Sequence, residues 1–338
     1  MTVYKVISPD NKGAFGGRVE DLSASVSRWL AEEAVQGRRL CYSKLFLSDV
    51  QNQFADYENT GLHNLLAHAP SAVIEQPPTG GSKIAVLLAT SDSAAGFSLS
   101  TLRLEADETD GLGAYQQTVK LFERYIESIT QCGLDMQTHL VRTWIYVSDI
   151  DTNYHDVVRA RNDIFARHGL TAATHFIAST GIGGNTHVRS ASVAMDFLTY
   201  PGIKESDKKY LKAPAYLNAT HEYGVAFERG TRLTLPDETV FYISGTASID
   251  HRGEVVNAGD VVRQADRLLE NIEALLADGG ATMADIGYLI VYLRDFSDHE
   301  VIDRYMKRRF PNTPYIIVLA KVCRPQWLIE MECVARIS

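Results

Sequence analysis

Cysteines are scarce in this 338-residue chain, and none stands in a metal-binding or disulfide pattern. Cys41, Cys132, Cys323 and Cys333 include no C-x-x-C pair, and no histidine lies at metal-ligand spacing from them. We therefore expect neither a disulfide framework nor a metal site. Free thiols suit a reducing compartment, so the composition predicts a cytoplasmic location.

Long apolar runs and clusters of basic residues are also missing. No uninterrupted apolar run approaches the length that spans a bilayer, and the opening residues MTVYKVISPD lack the basic and apolar regions of a signal peptide. We expect neither membrane insertion nor secretion. The formal net charge is -9 without any Lys/Arg-rich run, which argues against a nucleic-acid partner. What remains is a globular protein, 45% hydrophobic and 22% charged, with a small-molecule partner.

The chain repeats one pattern three times. A stretch with helical spacing is followed by an apolar strand that ends before an aspartate, in LCYSKLFLSD (40–49), HLVRTWIYVSD (139–149) and GYLIVYLRD (287–295). Each copy then reaches a closing strand, in KIAVLLAT (83–90), SASVAMDF (190–197) and LIEMECVA (328–335). The distance from the aspartate to the closing strand suits a β-α-β unit with its crossover helix.

The repeats divide the chain into predicted regions. Two degenerate units occupy residues 1–100 and 101–200, a charged segment with proline and glycine at 201–214 forms a linker, and residues 215–338 form the third unit. The third copy also predicts an opening hairpin over residues 239–256. Its turn is expected at Asp250–Gly253.

Two glutamates stand two residues apart in the last strand, WLIEMECVARIS. Alternation places Glu330 and Glu332 on the same face, where an apolar environment raises the pKa of a carboxyl group and lets it keep a proton. The alternative is that both lie on a solvated sheet face. At this place the first copy reads KIAVLL and the second RSASVA, so we expect acids only in the third copy.

The third unit resembles the RidA/YjgF superfamily in ISGTASID, in the helix and strand that follow, and in IEMECVA. Members of that superfamily have a chorismate mutase-like α+β fold, form trimers of single units, and bind small molecules in the clefts between units. The resemblance implies three tandem RidA/YjgF-like β-α-β units that form an intramolecular pseudo-trimer. Such a chain is expected to be a monomer or a weak oligomer.

SGTAS together with a late C-R-P and E-x-E is similar to chorismatases, which release pyruvate from chorismate to give a dihydroxycyclohexadienoate or a hydroxybenzoate. The resemblance implies a cofactor-free enzyme with a carboxylate substrate, with Glu330 as the general acid and with Ala247 and Cys323 deciding the product. Tyr223 and Arg229 match the Tyr-Gly and Phe-x-Arg stretch that precedes SGTAS. The Asn-Pro-Arg-Gln stretch of typical chorismatases is not found, which leaves the substrate open.

Arg142 and Glu332 complete the predicted substrate-binding set. Arg142 lies inside an apolar strand, where a guanidinium needs a partner, and it is a candidate carboxylate anchor beside Arg229. Glu332 is either a group that tunes the proton affinity of Glu330 or a bystander.

Two other functions remain open. One is a Rid-type deaminase or hydrolase that acts on enamines or imines. Such deaminases hold a substrate carboxylate with an arginine, but Ile316 takes its place here. The other is a non-catalytic protein that binds a small metabolite.

Overall fold

A computed structural model describes residues 1–10, 12–93 and 96–337, without the side chain of Tyr223. The described strands form three sheets, two of four strands and one of six. Helices accompany each sheet, which confirms the predicted α+β class with three tandem units. None of the helices in these ranges combines the length and apolar character needed to cross a bilayer.

The first unit contains four strands and three α-helices: β1 (Thr2–Ile7), α1 (Phe15–Val35), β2 (Arg39–Leu47), α2 (Val50–Glu58), α3 (Gly61–Leu66), β3 (Ser71–Glu75) and β4 (Ile84–Ser91). Its sheet has the order β1-β4-β2-β3. Only the pair β2 and β3 is parallel, because α2 and α3 form the crossover between them.

The second unit repeats the four strands, with a single longer crossover helix and two additional short helices: β5 (Ser98–Leu102), α4 (Ala106–Thr109), α5 (Ala114–Gln131), α6 (Met136–His139), β6 (Leu140–Val147), α7 (Ile150–Arg167), β7 (Ala178–Gly183) and β8 (Val193–Thr199). Its sheet has the order β5-β8-β6-β7, with α7 as the crossover between the parallel strands β6 and β7.

The third unit contains six strands and two α-helices: β9 (Lys208–Tyr210), β10 (Gly230–Thr234), β11 (Thr239–Ala247), α8 (Val261–Gly279), β12 (Ile286–Leu293), α9 (His299–Arg309), β13 (Tyr315–Leu319) and β14 (Ile329–Ile337). The two strands β9 and β10 are additional and lie at one edge of the sheet. The sheet has the order β13-β12-β14-β11-β10-β9. Short 3₁₀ helices lie at Glu205–Asp207, Thr220–Tyr223, Met283–Asp285 and Phe296–Asp298.

The inner faces of the three sheets share one core. Alternation along β6 shows how this works: Trp144 and Tyr146 face the core shared with the other two sheets, whereas Ile145 and Val147 pack beneath the helices of their own unit. This arrangement places the edge of each sheet against its neighbour. Clefts therefore form between units, and they are lined by residues from both sides.

The predicted linker at 201–214 contains a strand. Lys208–Tyr210 pairs antiparallel with β10, and Leu211 N–H donates to the Gly230 carbonyl at 2.9 Å. The free edge of β10 leaves backbone groups that this segment satisfies. Part of the segment predicted as a linker is thus an edge strand of the third sheet.

The predicted hairpin over 239–256 is also corrected. The observed hairpin joins β10 and β11, whereas residues 248–256 form only an isolated bridge between Ile249 and Val255. The edges of β11 are already occupied by β10 and β14, so the chain beyond Ala247 has no strand edge to extend. Asp250 does form the expected turn, because its Oδ1 accepts from the Arg252 and Glu254 N–H groups.

Strand register shows which residues correspond in the three units. The last residue of each central strand pairs with the first residue of the closing strand: Leu47 with Ile84, Val147 with Val193, and Leu293 with Ile329. The counterparts of Glu330 are therefore Ala85 and Ala194, and those of Glu332 are Leu87 and Asp196. The expectation that only the third copy carries acids holds for Glu330 but is wrong for Glu332. The sequence comparison placed the second closing strand out of register.

Candidate active site

A cavity of about 210 Å³ lies between the second and third units. The second unit contributes α7 and β7, and the third contributes β11, β14 and the turn before β14. The lining side chains that bear on the chemistry are Tyr154, Arg161, Phe227, Arg229, Ala247, Cys323, Arg324, Trp327 and Glu330. Among the described lining residues, Glu330 is the one carboxylic acid.

Glu330 enters the cavity because β11 leaves room for it. The side chain is only 5% exposed, and Ala247 stands directly opposite in the strand ladder. The register of β11 shifts between Ile243 and Thr246, and a Cβ at Gly245 would clash with Glu330 Oε1. A glycine at this irregular position therefore makes space for the carboxyl group.

The surroundings of Glu330 keep it protonated at neutral pH. Burial raises its pKa to about 8, the negative charge of Glu332 raises it further, and Arg229 opposes both effects. A buried carboxylic acid with a pKa near the working pH is suited to donate a proton. The alternative of a solvated sheet face at this position is not observed, since Glu330 is buried.

Three arginines line the same cavity as this acid. Arg229 is 8% exposed and donates to the Asn218 carbonyl and to Asn218 Oδ1 at 3.1 to 3.3 Å. Arg161 is 2% exposed and comes from α7, and Arg324 stacks on the Trp327 ring with 4.7 Å between its guanidinium carbon and the ring centroid. The arrangement suits a ligand with more than one carboxylate.

Arg161 was missed in the sequence, although a signal is present. Val157, Ala160 and Ile164 mark the buried face of α7, and Arg161 falls within this stripe. A guanidinium on the apolar face of an amphipathic helix requires a buried partner or a ligand.

Arg142 and Glu332 do not belong to the cavity. They form an ion pair at 2.9 Å, and each side chain is only 1% exposed. Arg142 also donates to the Ile243 carbonyl at 2.7 Å and to Thr180 Oγ1 at 2.9 Å. The prediction that Arg142 anchors a substrate carboxylate is therefore wrong, because its guanidinium is committed to Glu332. Neither residue is among the described side chains that line the cavity.

These two residues belong to a charged cluster inside the shared core. Burial opposes ionisation of Glu332, but Arg142 and Lys44 outweigh it and hold its pKa below the ordinary value. Trp144 Nε1 donates to Glu332 Oε1 at 2.7 Å. Asp196, the counterpart of Glu332 in the second unit, pairs with Arg103 at 2.9 Å. The acids at these two equivalent positions therefore both have a basic partner inside the structure.

Three predicted site residues remain, which are Ala247, Cys323 and Tyr223. Ala247 and Cys323 line the cavity, and the side chain of Tyr223 lies outside the described part of the chain. Burial, followed by the nearby charge of Glu330, raises the pKa of the Cys323 thiol to about 12. A thiol that stays protonated is a poor nucleophile, and what the structure shows of Cys323 is its place in the wall of the cavity. In the described ranges, no group of three His, Cys, Asp or Glu side chains is arranged to hold a metal ion.

Known proteins resemble this chain in its third unit and in its fold. The endoribonuclease L-PSP family model matches residues 231–337, which span the strands and helices around Glu330. The fold resembles a crystal structure of chorismatase with a TM-score of 0.69 at 21% identity, over 99% of this chain and 98% of that one. Residues 231–337 thus form a domain of the endoribonuclease L-PSP (RidA/YjgF) type, and the chain as a whole is similar to chorismatases.

Curated relatives in this RidA/YjgF superfamily include two proteins of Streptomyces hygroscopicus. A chorismatase is 30% identical over 217 residues, which are 57% of this chain and 60% of that protein. A 3-hydroxybenzoate synthase is 27% identical over 218 residues, 56% of this chain and 62% of that protein. The matched region thus spans about three fifths of each relative. The 3-aminoacrylate deaminase RutC of Acinetobacter baylyi is 29% identical over 103 residues, 30% of this chain and 81% of that protein.

Proposed function

We propose that this protein is a chorismatase-like enzyme that releases pyruvate from chorismate or a close analogue, without a cofactor. The observation that carries the proposal is Glu330, a buried acid with a pKa of about 8 in a cavity with three arginines. Chorismate carries two carboxylates and an enol ether. Its cleavage needs cationic groups that hold the two carboxylates and a proton donor for the enol ether.

The reaction begins with transfer of the Glu330 proton to the methylene carbon of the enolpyruvyl group. The adjacent carbon becomes an oxocarbenium ion, and water adds to it while the Glu330 carboxylate takes a proton from that water. The resulting hemiketal collapses to pyruvate and the ring alcohol, which together contain the atoms of chorismate plus one water. Arg161 and Arg229 hold the two carboxylates, replacing the pair Arg142 and Arg229 that the sequence predicts.

Ala247 and Cys323 determine the product in this proposal. Both line the cavity, and Ala247 stands opposite Glu330 in the ladder. A dihydroxycyclohexadienoate results when the ring alcohol keeps both of its hydroxyl groups, whereas a hydroxybenzoate results when the ring then loses one of them as water. The similarity to a 3-hydroxybenzoate synthase supports including the second route.

A Rid-type deaminase is the competing proposal, supported by the similarity to RutC. Ile316 stands where those enzymes carry an arginine, and it is 5% exposed within β13. The three arginines of this cavity come from other positions. The geometry therefore favours a dicarboxylate over a small imino acid.

Incubation of the purified protein with chorismate tests the proposal. We expect pyruvate and one cyclic product in equimolar amounts, with both products followed by NMR. In a separate assay with a mixture of 2-imino acids, we expect no ammonia. Ammonia release without turnover of chorismate would establish the deaminase instead. A ligand that raises the melting temperature without any turnover would establish a binding protein.

A further inference from the structure

A second cavity, here named the annex, adjoins the candidate active site. It measures about 200 Å³ and lies between residues 171–176 of the second unit and residues 211–221 and 227–229 of the third. Phe227 and Arg229 line both cavities. These two side chains therefore form part of the wall that separates the annex from Glu330.

Basic side chains outnumber acidic ones in the annex. Its lining includes His175, Lys212, His221 and Arg229 against the single acid Glu228. Glu228 Oε1 accepts a hydrogen bond from the Phe176 N–H at 2.9 Å, and burial raises the pKa of this carboxyl group. Burial thus disfavours the charged form of Glu228, and the hydrogen bond from Phe176 offsets part of this effect. With Lys212 and Arg229 in the same lining, the annex favours an anion.

Arg229 connects the two cavities electrostatically. Its Nε and Nη2 groups face Asn218, which lines the annex and not the described wall of the active site. The same guanidinium lowers the pKa of Glu330 by its charge, so its field also reaches the acid. The annex and the cavity of Glu330 thus lie on either side of one guanidinium.

We propose that the annex is a binding site for a small 2-oxo carboxylate, the fragment that the reaction releases beside Arg229. The origin of this ligand rests on the proposed function. Cleavage turns one dianion into two separate anions, which repel each other within one cavity. A second basic cavity across Arg229 accepts the smaller anion and leaves the cyclic acid with Arg161.

Pyruvate is the probe that tests this site, and its binding is followed through its methyl signal in saturation-transfer NMR. The experiment uses wild-type protein without chorismate, before and after 3-hydroxybenzoate is added to fill the active-site cavity. We expect pyruvate to bind in both conditions. The K212Q/H221Q variant should weaken binding about fivefold, because the charge of Lys212 and the imidazole of His221 are both removed from the annex.

The matched control is K209Q, since Lys209 lies nearby but pairs with Asp278 and does not line the annex. It should bind pyruvate as wild type does. The proposal fails if pyruvate does not bind, if 3-hydroxybenzoate displaces it completely, or if K212Q/H221Q binds it unchanged. Binding in the annex by a protein that does not turn over chorismate would uphold the site and overturn the proposed function.

Discussion

At the scale of single residues, the position of Glu330 decides what the cavity can do. Glu332 lies two residues further along β14 and on the same face, yet only Glu330 reaches the cavity, because Gly245 makes space for its carboxyl group. Glu332 is close enough to raise the pKa of Glu330 but is neutralised by Arg142. The two glutamates thus have separate tasks, proton donation and internal support.

Activity should fall as the pH rises through about 8. The folded pKa of Glu330 is raised above its ordinary value of 4.5, so the active protonated form is lost above the folded pKa. A pH profile of kcat with chorismate measures this. In E332Q the fall should occur at lower pH, because the neighbouring charge that raises the pKa is gone. An E332Q profile that coincides with wild type would show that Glu332 does not tune Glu330.

Stability gives an independent check of the same group. Between the unfolded and folded pKa values the folded state binds the extra proton, so Glu330 makes the protein less stable as pH rises from about 4.5 to about 8. E330Q lacks this titration. Its melting temperature relative to wild type should therefore rise across that window, as thermal unfolding at several pH values would show.

At the scale of elements, an ion-pair cluster holds α7 against the third unit at the edge of the active site. Asp151 in the first turn of α7 accepts from Arg294 Nη2 at 2.8 and 2.9 Å and from Lys321 Nζ at 3.0 Å. Arg294 Nη1 also donates to the Val322 carbonyl at 2.7 Å, next to Cys323. The cluster therefore fixes the distance between the helix that carries Arg161 and the turn that carries Cys323.

Loss of Asp151 should widen the cleft and weaken substrate binding. We expect D151N to raise KM for chorismate about fivefold with little change in kcat, and D151E to restore most of the loss. Gln51 occupies the equivalent place in the first unit, where Nε2 donates to the Thr186 and His187 carbonyls. Q51A is thus the matched control and should keep the wild-type KM. An equal effect in Q51A would mean that D151N acts through general stability.

The elements were more predictable from the sequence than the site. Alternating apolar residues and the recurring aspartate were enough to find the three central and closing strands, because burial imposes those patterns locally. In the sequence, Arg142 and Arg229 are equally good candidates for carboxylate anchors, since both have apolar residues close by. Only the packing between units reveals that Glu332 neutralises Arg142, and that Arg161 comes from another unit to line the cavity that holds Glu330.

At the scale of the molecule, the three units differ in what their equivalent positions carry. Glu330 is replaced by Ala85 and Ala194 in the other units, so the acid stands in a single inter-unit cleft among those described. The inner faces meanwhile hold a buried charged cluster where the sheets meet. Removing only one partner of a buried ion pair such as Arg142 and Glu332 destabilises the fold, because the other charge stays buried without compensation.

Removal of one partner of this pair should destabilise the whole chain. We expect E332Q and R142Q each to lower the free energy of unfolding by about 3 kcal/mol, because the remaining group stays buried without its counter-charge. The double variant should cost less than the sum of the two. Urea unfolding of the four proteins measures this cycle, and additive losses would contradict a direct coupling.

The central claim is that Glu330 protonates the enolpyruvyl methylene carbon, and pyruvate release in D₂O tests it most directly. Wild type should release pyruvate whose methyl group carries one deuterium from solvent. E330Q should release it at least about a hundredfold more slowly, because the proton donor is gone. Pyruvate release by E330Q at the wild-type rate would contradict the account.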